Sequence, residues 1–406
     1  MDRSATILIA GAGPAGLAAA LYLLRDRPEL AGRIVAIEKA RHPRPKVCAG
    51  GLIPKTLAAM RELGLSLEVP AVEVFSGDAR TEAGTIELRA RSEPLCTIVR
   101  RDEFDASLAY AARRRGLRIV EQARLLGIEQ NGSTVQAFTD KDAHQGVVLI
   151  GADGSGSRVR AAVFGRDKTN IGRALMADVP TASSSPEFAR RVYRFDFNCV
   201  SAGIRGYSWS FPCLIEGEPH LNLGIYDQCP RKRVKARQPK ARLPDALAAA
   251  FPEYIPSAAA LPSYKAFPIR WYEPCDQYAC LRTILVGDAA GVDPLMGEGI
   301  SAAFEHGKLA AHYVGRFLDG EKDALDRYSH ALHAETVGRK LRRLRFAADR
   351  FYGPRHRLYF RIAALSRIAQ QLGIDWYNGT REMDQVSAPR MLGRWAWAVL
   401  SRTGVG

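Results

Sequence analysis

The chain has 406 residues, 47% of them hydrophobic and 25% charged, with a formal net charge of +15. That balance excludes a disordered or collagen-like chain and fits a soluble globular protein, either one large composite fold or two domains sharing a core. No uncharged apolar run reaches the roughly 18 residues of a membrane span, "MDRSATILIAGAG" has no signal-peptide character, and the seven scattered cysteines lack zinc-finger spacing. A reducing, cytoplasmic setting without structural disulfides or a bound metal is expected. The positive excess favours anionic partners: nucleic acid, acidic lipid or a phosphorylated small molecule.

The first element is an apolar strand running into Gly11-x-Gly13-x-x-Gly16 and an alanine-rich helix that includes Ala15. Gly11 permits a tight turn, Gly13 lets backbone approach a pyrophosphate, and Gly16 lets helix and strand pack closely. The helix N-terminus turns its N–H groups and positive dipole end toward phosphate. A second strand, "RIVAIEKA", ends at Glu38 and Lys39. Glu38 can accept hydrogen bonds from both ribose hydroxyls and disfavours a 2′-phosphate, so the unit is an FAD or NAD site. Next comes "KVCAGGL", which sets Cys48 beside Ala49, Gly50 and Gly51. Either the loop bends tightly there or something flat and reactive comes close to bare backbone.

Residues 73–90 read as a hairpin, and "VLIGADGSGSRVR" as a strand ending at Asp153-Gly154. Between 170 and 270, "ARRVYRFDFNCV", "GYSWSFPCLI" and "PHLNLGIYD" are aromatic and β-branched runs that predict strands of an antiparallel sheet. Alternation puts Tyr207, Trp209 and Phe211 on one face, as a core stripe or as a rigid apolar wall suited to a polyene chain. "TILVGDAAGVDPLMGEGISAAFEHG" is a strand ending at Gly287-Asp288, then a loop with Pro294, Gly297, Glu298 and Gly299, then a helix from about Ile300. Glu298 either caps that helix or acts on a ligand. Further on, Val337, Leu341, Leu344, Ala348 and Phe351 form one helical face ringed by arginines. That pattern suits docking on anionic lipid, or a solvated face over a core contact. "RKRVKARQPKAR" (231–242) reads as a solvated basic loop. No strand interleaves aromatic and basic residues as an RNA platform would, so nucleic acid is not expected.

In this order and spacing, the segments at Gly11–Gly16, Asp153-Gly154 and Gly287-Asp288 resemble the flavoprotein hydroxylase and geranylgeranyl reductase superfamily. "VRRDEFDASLAYAA" (99–112) adds Arg101, which falls on the arginine of an R-x-x-F-D pattern. The resemblance implies one FAD per chain. It implies Asp288 at the ribityl and pyrophosphate region, Arg101 touching the cofactor, and Asp153 and Gly154 supporting both FAD and a nicotinamide donor. It sets Pro294, Gly297, Glu298, Gly299 and Ile300 beside the flavin ring, with Cys48, Gly50 and Gly51 near the ring and substrate. "GYSWSFP" is similar to the Y-x-W-x-F-P signature of the reductase branch, whose following G-x-G reads Asn222-Leu223-Gly224 here.

The expected fold is α/β: a Rossmann-like FAD-binding domain (1–70, 95–165 and 275–325), an interleaved antiparallel β-sheet substrate domain (71–94 and 166–274) and a helical C-terminal region (326–406). The expected activity is FAD-dependent reduction of carbon–carbon double bonds in an isoprenoid or similar apolar substrate. Cys48, Tyr207 and Glu298 are the catalytic candidates, and Tyr207, Trp209, Phe211 and Gly224 would contact substrate. With no second G-x-G-x-x-G, NAD(P)H or another reductant would dock transiently. A monooxygenase of an apolar or aromatic metabolite is the alternative. A flavin halogenase is weaker, because the W-x-W of "RWAWAVL" (394–400) lacks a following Ile-Pro. A basic membrane-binding flavoprotein is the remaining reading.

Overall fold

The computed structural model describes residues 6–90, 92–165, 170–229, 241–261, 263–365 and 367–378. The strand Ile7–Ala10 is wholly buried at the centre of a six-stranded sheet. It runs parallel to Ile34–Ile37 on one side and to Val148–Gly151 on the other, with Ile7 level with Ile34 and Val148. Arg118–Val120 and Thr283–Leu285 extend the parallel order, and Ala279–Cys280 adds an antiparallel edge. Continuous apolar runs mark strands covered on both faces. The helix Pro14–Asp26 follows the first strand, with proline in its first turn. It packs against the long helix Ile300–Leu318 at Gly307, where a Cβ would lie 2.7 Å from Ala19 N. That bare backbone lets two alanine-rich helices close on one another.

A seven-stranded sheet forms the second layer. Its order is Lys265–Arg270, Ile171–Pro180, Glu218–Asp227, Gly206–Ile215, Val192–Asp196, Ser76–Thr81, Gly84–Arg89. Neighbours are antiparallel except Val192–Asp196 and Ser76–Thr81, which pair in parallel with Val192 level with Ser76. The expected antiparallel sheet is corrected at this one join. The hairpin 76–89 comes from a distant stretch of chain, so no tight turn dictates its direction.

The two faces of this sheet differ. Tyr193, Phe195, Tyr207, Trp209 and Phe211 cluster on one. Leu221, Leu223 and Ile225 pack on the other against Leu247 and Phe251, the first of these from the helix Leu243–Ala250. A small sheet of Gly51–Leu52, Cys96–Val99 and Ala71–Val74 lies between the nucleotide unit and the aromatic face. A second small sheet comprises Leu125–Gln130, Val135–Thr139 and Ala143–Gly146.

Four helices end the described chain: Ala324–Ala334, Thr336–Phe351, His356–Leu365 and Arg367–Tyr377. In the second of these, Val337, Leu341, Leu344 and Ala348 are buried in the core. Arg345, on the same helix, is buried too, 2.9 Å from Glu273 and over the Trp271 ring. The stripe considered for lipid docking is therefore a core contact. Most of the basic loop 231–242 and all of "RWAWAVL" lie outside the described residues. Among the described residues, no helix is long and apolar enough to cross a membrane.

Candidate active site

A cavity of about 470 Å³ opens where the carboxyl ends of the parallel strands meet the aromatic face of the second sheet. Its nucleotide side is built on Gly11, whose φ is +101° and where a Cβ would lie 2.5 Å from Ala152 O. Only glycine fits there on both counts. The following residue is held from two directions. Ala12 N–H donates to Glu38 Oε2 at 2.9 Å, and Ala12 O lies 3.0 Å from His42 Nε2. Glu38 Oε1 accepts from Ala40 N at 3.0 Å. Each oxygen of this buried carboxylate keeps a lone pair for a ribose hydroxyl.

Arg44 lies across the turn, with Nη2 3.4 Å from where a Gly13 Cβ would be. It is 3.6 Å from Glu38 and 3.4 Å from Asp105, and its buried Nε has no hydrogen-bond partner. An open glycine turn with an orphaned guanidinium donor beside it fits a pyrophosphate. Ala15 and Lys39 line the same side, while Gly16 stands behind it, packed on Gly11 O.

The third strand end is anchored by a residue that the motifs did not flag. His306 Nδ1 accepts from Gly287 N at 3.0 Å, and burial pushes His306 down to about 4, which keeps the ring neutral for that role. Ser155 Oγ donates to Asp288 Oδ2 at 2.9 Å. Asp153 and Gly154 line the cavity. The Asp153 carboxylate, however, accepts from Ser157 Oγ at 2.5 Å, Arg158 N at 2.6 Å and Val159 N at 3.1 Å. It holds the start of the helix Arg158–Phe164.

Arg101 opens the helix Arg101–Arg114 and pairs with Asp105 through Nε at 2.9 Å and Nη2 at 3.1 Å. Burial opposes its charge, but Asp105 and the facing Cys48 thiol hold it above its ordinary range. Cys48 Sγ accepts from Gly50 N at 3.4 Å. A side chain at Gly50 would strike Val99 O, and one at Gly51 would come 3.0 Å from Cys96 Sγ. The neighbouring strand alone thus demands glycine at 50, where φ is also +77°, and leaves only a tight fit for a side chain at 51; both glycines line the cavity with Ala49.

At the far edge, Gly297, Glu298, Gly299 and Ile300 line the wall, and Pro294 stands behind it with its carbonyl taken by Gln228 Nε2 at 3.0 Å. Glu298 accepts from Ser301 N at 2.7 Å and from Ser301 Oγ at 2.6 Å, so its carboxylate caps the long helix. Tyr207 donates its hydroxyl to Met296 O at 2.5 Å, and burial raises its pKa well above the ordinary value.

Tyr207, Trp209 and Phe211 all face the cavity, joined by Phe195, Tyr226 and Phe267. Phe195 meets Phe211 edge-on at 5.4 Å and 85°, an arrangement favoured by ring quadrupoles. Gly224 lies behind the wall, directly under Trp209. The last described helix adds Tyr377.

Lys46 is the main residue that sequence reasoning passed over. Its Nζ lies 3.5 Å above the Phe267 ring and it lines the cavity. Burial lowers its pKa to about 8, against the opposing pull of Asp288. In a proline- and arginine-rich turn, one more lysine reads as solvated, so only its place two residues before Cys48 could have flagged it. Among the described residues, no cluster of His, Cys, Asp and Glu is suited to a metal.

The FAD binding domain family matches residues 4–341. A menaquinone reductase from Mycobacterium tuberculosis is 28% identical over 77% of this chain and 77% of its own length. A 3-hydroxybenzoate 6-hydroxylase from Aquipseudomonas alcaligenes is 26% identical over 85% of this chain and 89% of its own. Among solved structures, a geranylgeranyl bacteriochlorophyll reductase-like protein from Thermoplasma acidophilum superposes with a TM-score of 0.70. It is 21% identical and covers 97% of this chain and 96% of its own.

The purified protein is expected to be yellow and to release FAD, not FMN, on denaturation. Gly11→Val should lose most of the flavin, read as the ratio of flavin to protein absorbance, because the side chain would collide with Ala152. A colourless protein that cannot be reconstituted with FAD would overturn the site.

Proposed function

The chain belongs to the FAD binding domain family and is an FAD-dependent oxidoreductase, and from that premise we propose that it reduces carbon–carbon double bonds of an isoprenoid-type apolar substrate. The observation that carries the reading is the wall of Tyr207, Trp209 and Phe211 facing the same cavity as the nucleotide turn. The menaquinone reductase relative, whose named substrate carries an isoprenoid chain, supports it. Bound FAD, once reduced by NAD(P)H or another transient donor, supplies a hydride.

The chain's own part is to hold substrate and manage a proton. An isolated alkene accepts hydride poorly, so a proton must reach the second carbon in the same step or before it. Tyr207 has its hydroxyl tied to Met296 O, and Glu298 is occupied by Ser301. Cys48 Sγ, lining the cavity between Gly50 N and Arg101, is the proposed proton carrier. Lys46 Nζ is the proposed cation beside the reacting region. The aromatic wall excludes water, which protects the reducing equivalents.

Peripheral contact with anionic lipid belongs to the same proposal. The helix His356–Leu365 packs Phe360, Ala363 and Ala364 inward on the aromatic clusters. Leu358 and Leu365, seven residues apart, are 52% and 51% exposed, with Arg355, Arg357, Arg361 and Arg367 exposed around them. Such a ridge suits an anionic membrane and would bring a lipid substrate to the apolar end of the cavity.

Incubation with reduced FAD and geranylgeranyl lipids under argon should yield products heavier by one hydrogen molecule per reduced bond. In air with labelled oxygen, no label should enter the product; labelled product would transfer the case to the hydroxylase reading. Turnover should fall as pH rises through about 8, where Lys46 loses its proton. In Lys46→Met that alkaline limb should vanish along with most of the rate, and an unchanged profile would remove Lys46 from the chemistry. Protein should sediment with phosphatidylserine vesicles and not with phosphatidylcholine alone. Binding that survives in a Leu358→Asp, Leu365→Asp variant would reject the ridge.

A further inference from the structure

We propose that Asn222 is a specificity-determining positioning residue, which locks the Trp209 indole in one orientation and thereby sets the width of the apolar chamber. The inference rests on the chamber being the substrate site. Trp209 is held on three sides. It stands opposite Gly224 in the strand register, and a Cβ at Gly224 would fall inside the indole, so the ring lies flat on bare backbone. The Tyr207 ring flanks it at 5.9 Å. At its polar tip, the buried Nε1–H donates to Asn222 Oδ1 at 2.8 Å.

Asn222 has no freedom of its own. Its Nδ2 donates to Asp178 Oδ1 at 2.7 Å, and Asp178 Oδ2 accepts from Arg100 Nη1 at 3.2 Å. Flipping the amide would set NH₂ against the indole N–H and oxygen against a carboxylate. Only one orientation satisfies both neighbours, so the chain of bonds has a fixed sense. Arg100 immediately precedes Arg101, which faces Cys48 on the cofactor side. The wall and the cofactor-side helix therefore share one anchor.

Removing the Asn222 carbonyl would leave a buried indole N–H without a partner, an arrangement that costs more than the bond itself contributes. The ring would tilt to regain one. Gly224 blocks retreat into the sheet, so the tilt is into the chamber or along it. A slim, flexible chain and a rigid fused ring would feel that change differently.

The test compares wild type, Asn222→Leu, Trp209→Phe and the double variant, all loaded with FAD. Hydrogen exchange of the indole N–H groups reads the positioning itself, with the Trp209 signal assigned by its loss in Trp209→Phe. Binding of geranylgeraniol and cholesterol, followed by perturbation of flavin absorbance, reads selectivity. Faster exchange at Trp209 and an altered preference between the two ligands, by about two- to tenfold, are expected in Asn222→Leu, the scale of one buried hydrogen bond. In the Trp209→Phe background, where no N–H exists, Asn222→Leu should change the preference no further. Unchanged exchange would overturn the positioning. Faster exchange with an unchanged preference, or additive effects in the double variant, would overturn the role in specificity. If wild type binds neither ligand, the isoprenoid reading and the specificity role both fall, while the exchange arm still decides whether Asn222 holds the indole. Asn222→Leu that fails to retain FAD would leave Trp209→Phe to decide, because an unaltered preference there rejects the indole bond as the determinant.

Discussion

The backbone contact between Gly11 and Ala152 fixes the geometry of everything around it. Two parallel strands end side by side, and the turn after the first presses against the end of the second with no room for a side chain. From that contact the rest of the nucleotide side follows. Glu38 and His42 clamp Ala12, the next residue, from opposite polar groups. The helix after the turn brings Ala15 against Gly287, whose N–H is pinned by His306. Four separated pieces of chain thus converge on one turn, although none touches another in sequence. Apart from the backbone of Ala152, the partners are the Glu38, His42 and His306 side chains, and Glu38 is itself fixed by the N–H groups of Ala12 and Ala40, so the turn is organised by the protein's own hydrogen bonds.

The cavity joins two environments that ask for different ligands. Lys39, Arg44, Arg101, Arg124 and Arg158 line it along the nucleotide side, where phosphate charge would be met. Phe195, Tyr207, Trp209 and Phe211 line the other end, and their hydroxyl and indole groups are already paired within the protein. Pairing of those polar tips matters energetically. A buried phenol or indole with a free donor would call for a polar ligand atom, whereas a satisfied one presents only apolar surface. At Tyr207 and Trp209 the wall is apolar because its polar atoms are used, whereas the buried Tyr226 hydroxyl on the same cavity has no hydrogen-bond partner among the described residues and leaves one polar group for a ligand atom.

The elements that a local pattern specifies were legible in the chain. A period-two run with bulky aromatics is a strand wherever it falls, so Gly206–Ile215 and Glu218–Asp227 could be read directly. The glycine turn with an acid at the second strand end likewise carries its own geometry. What escaped reading depends on partners far away in sequence. The parallel join of Ser76–Thr81 to Val192–Asp196 is a pairing across more than a hundred residues, with nothing local to announce it. Glu298 reads the same whether it caps a helix or faces a ligand, and only the position of Ser301 decides. Gly50 and Gly51 look like an approach path for a cofactor, yet the Val99 carbonyl accounts for Gly50 without one. Asn222 reads as a lapse from a glycine pattern, and gains meaning only when the indole of Trp209 is found on its carbonyl. Lys46 shows the limit most clearly, since its unusual ionisation comes from burial that sequence cannot measure.

Lys46 is also where the two relatives' chemistries part. A hydroxybenzoate ring bears a carboxylate that must be matched by a cation if it enters an apolar chamber, since an unpaired buried charge is prohibitive. Lys46 is the lining cation that reaches the aromatic half, and it already rests on the Phe267 ring. A bidentate arginine clamp, the geometry best matched to a carboxylate, would have to come from the nucleotide side, where Arg101 is committed to Asp105 and Arg44 stands by Glu38 and Asp105. A polyisoprenoid chain asks for no such partner. It asks for length and apolar walls, and on the reading proposed above the ammonium of Lys46 on the Phe267 ring is left free for the reaction instead of being consumed by a substrate carboxylate.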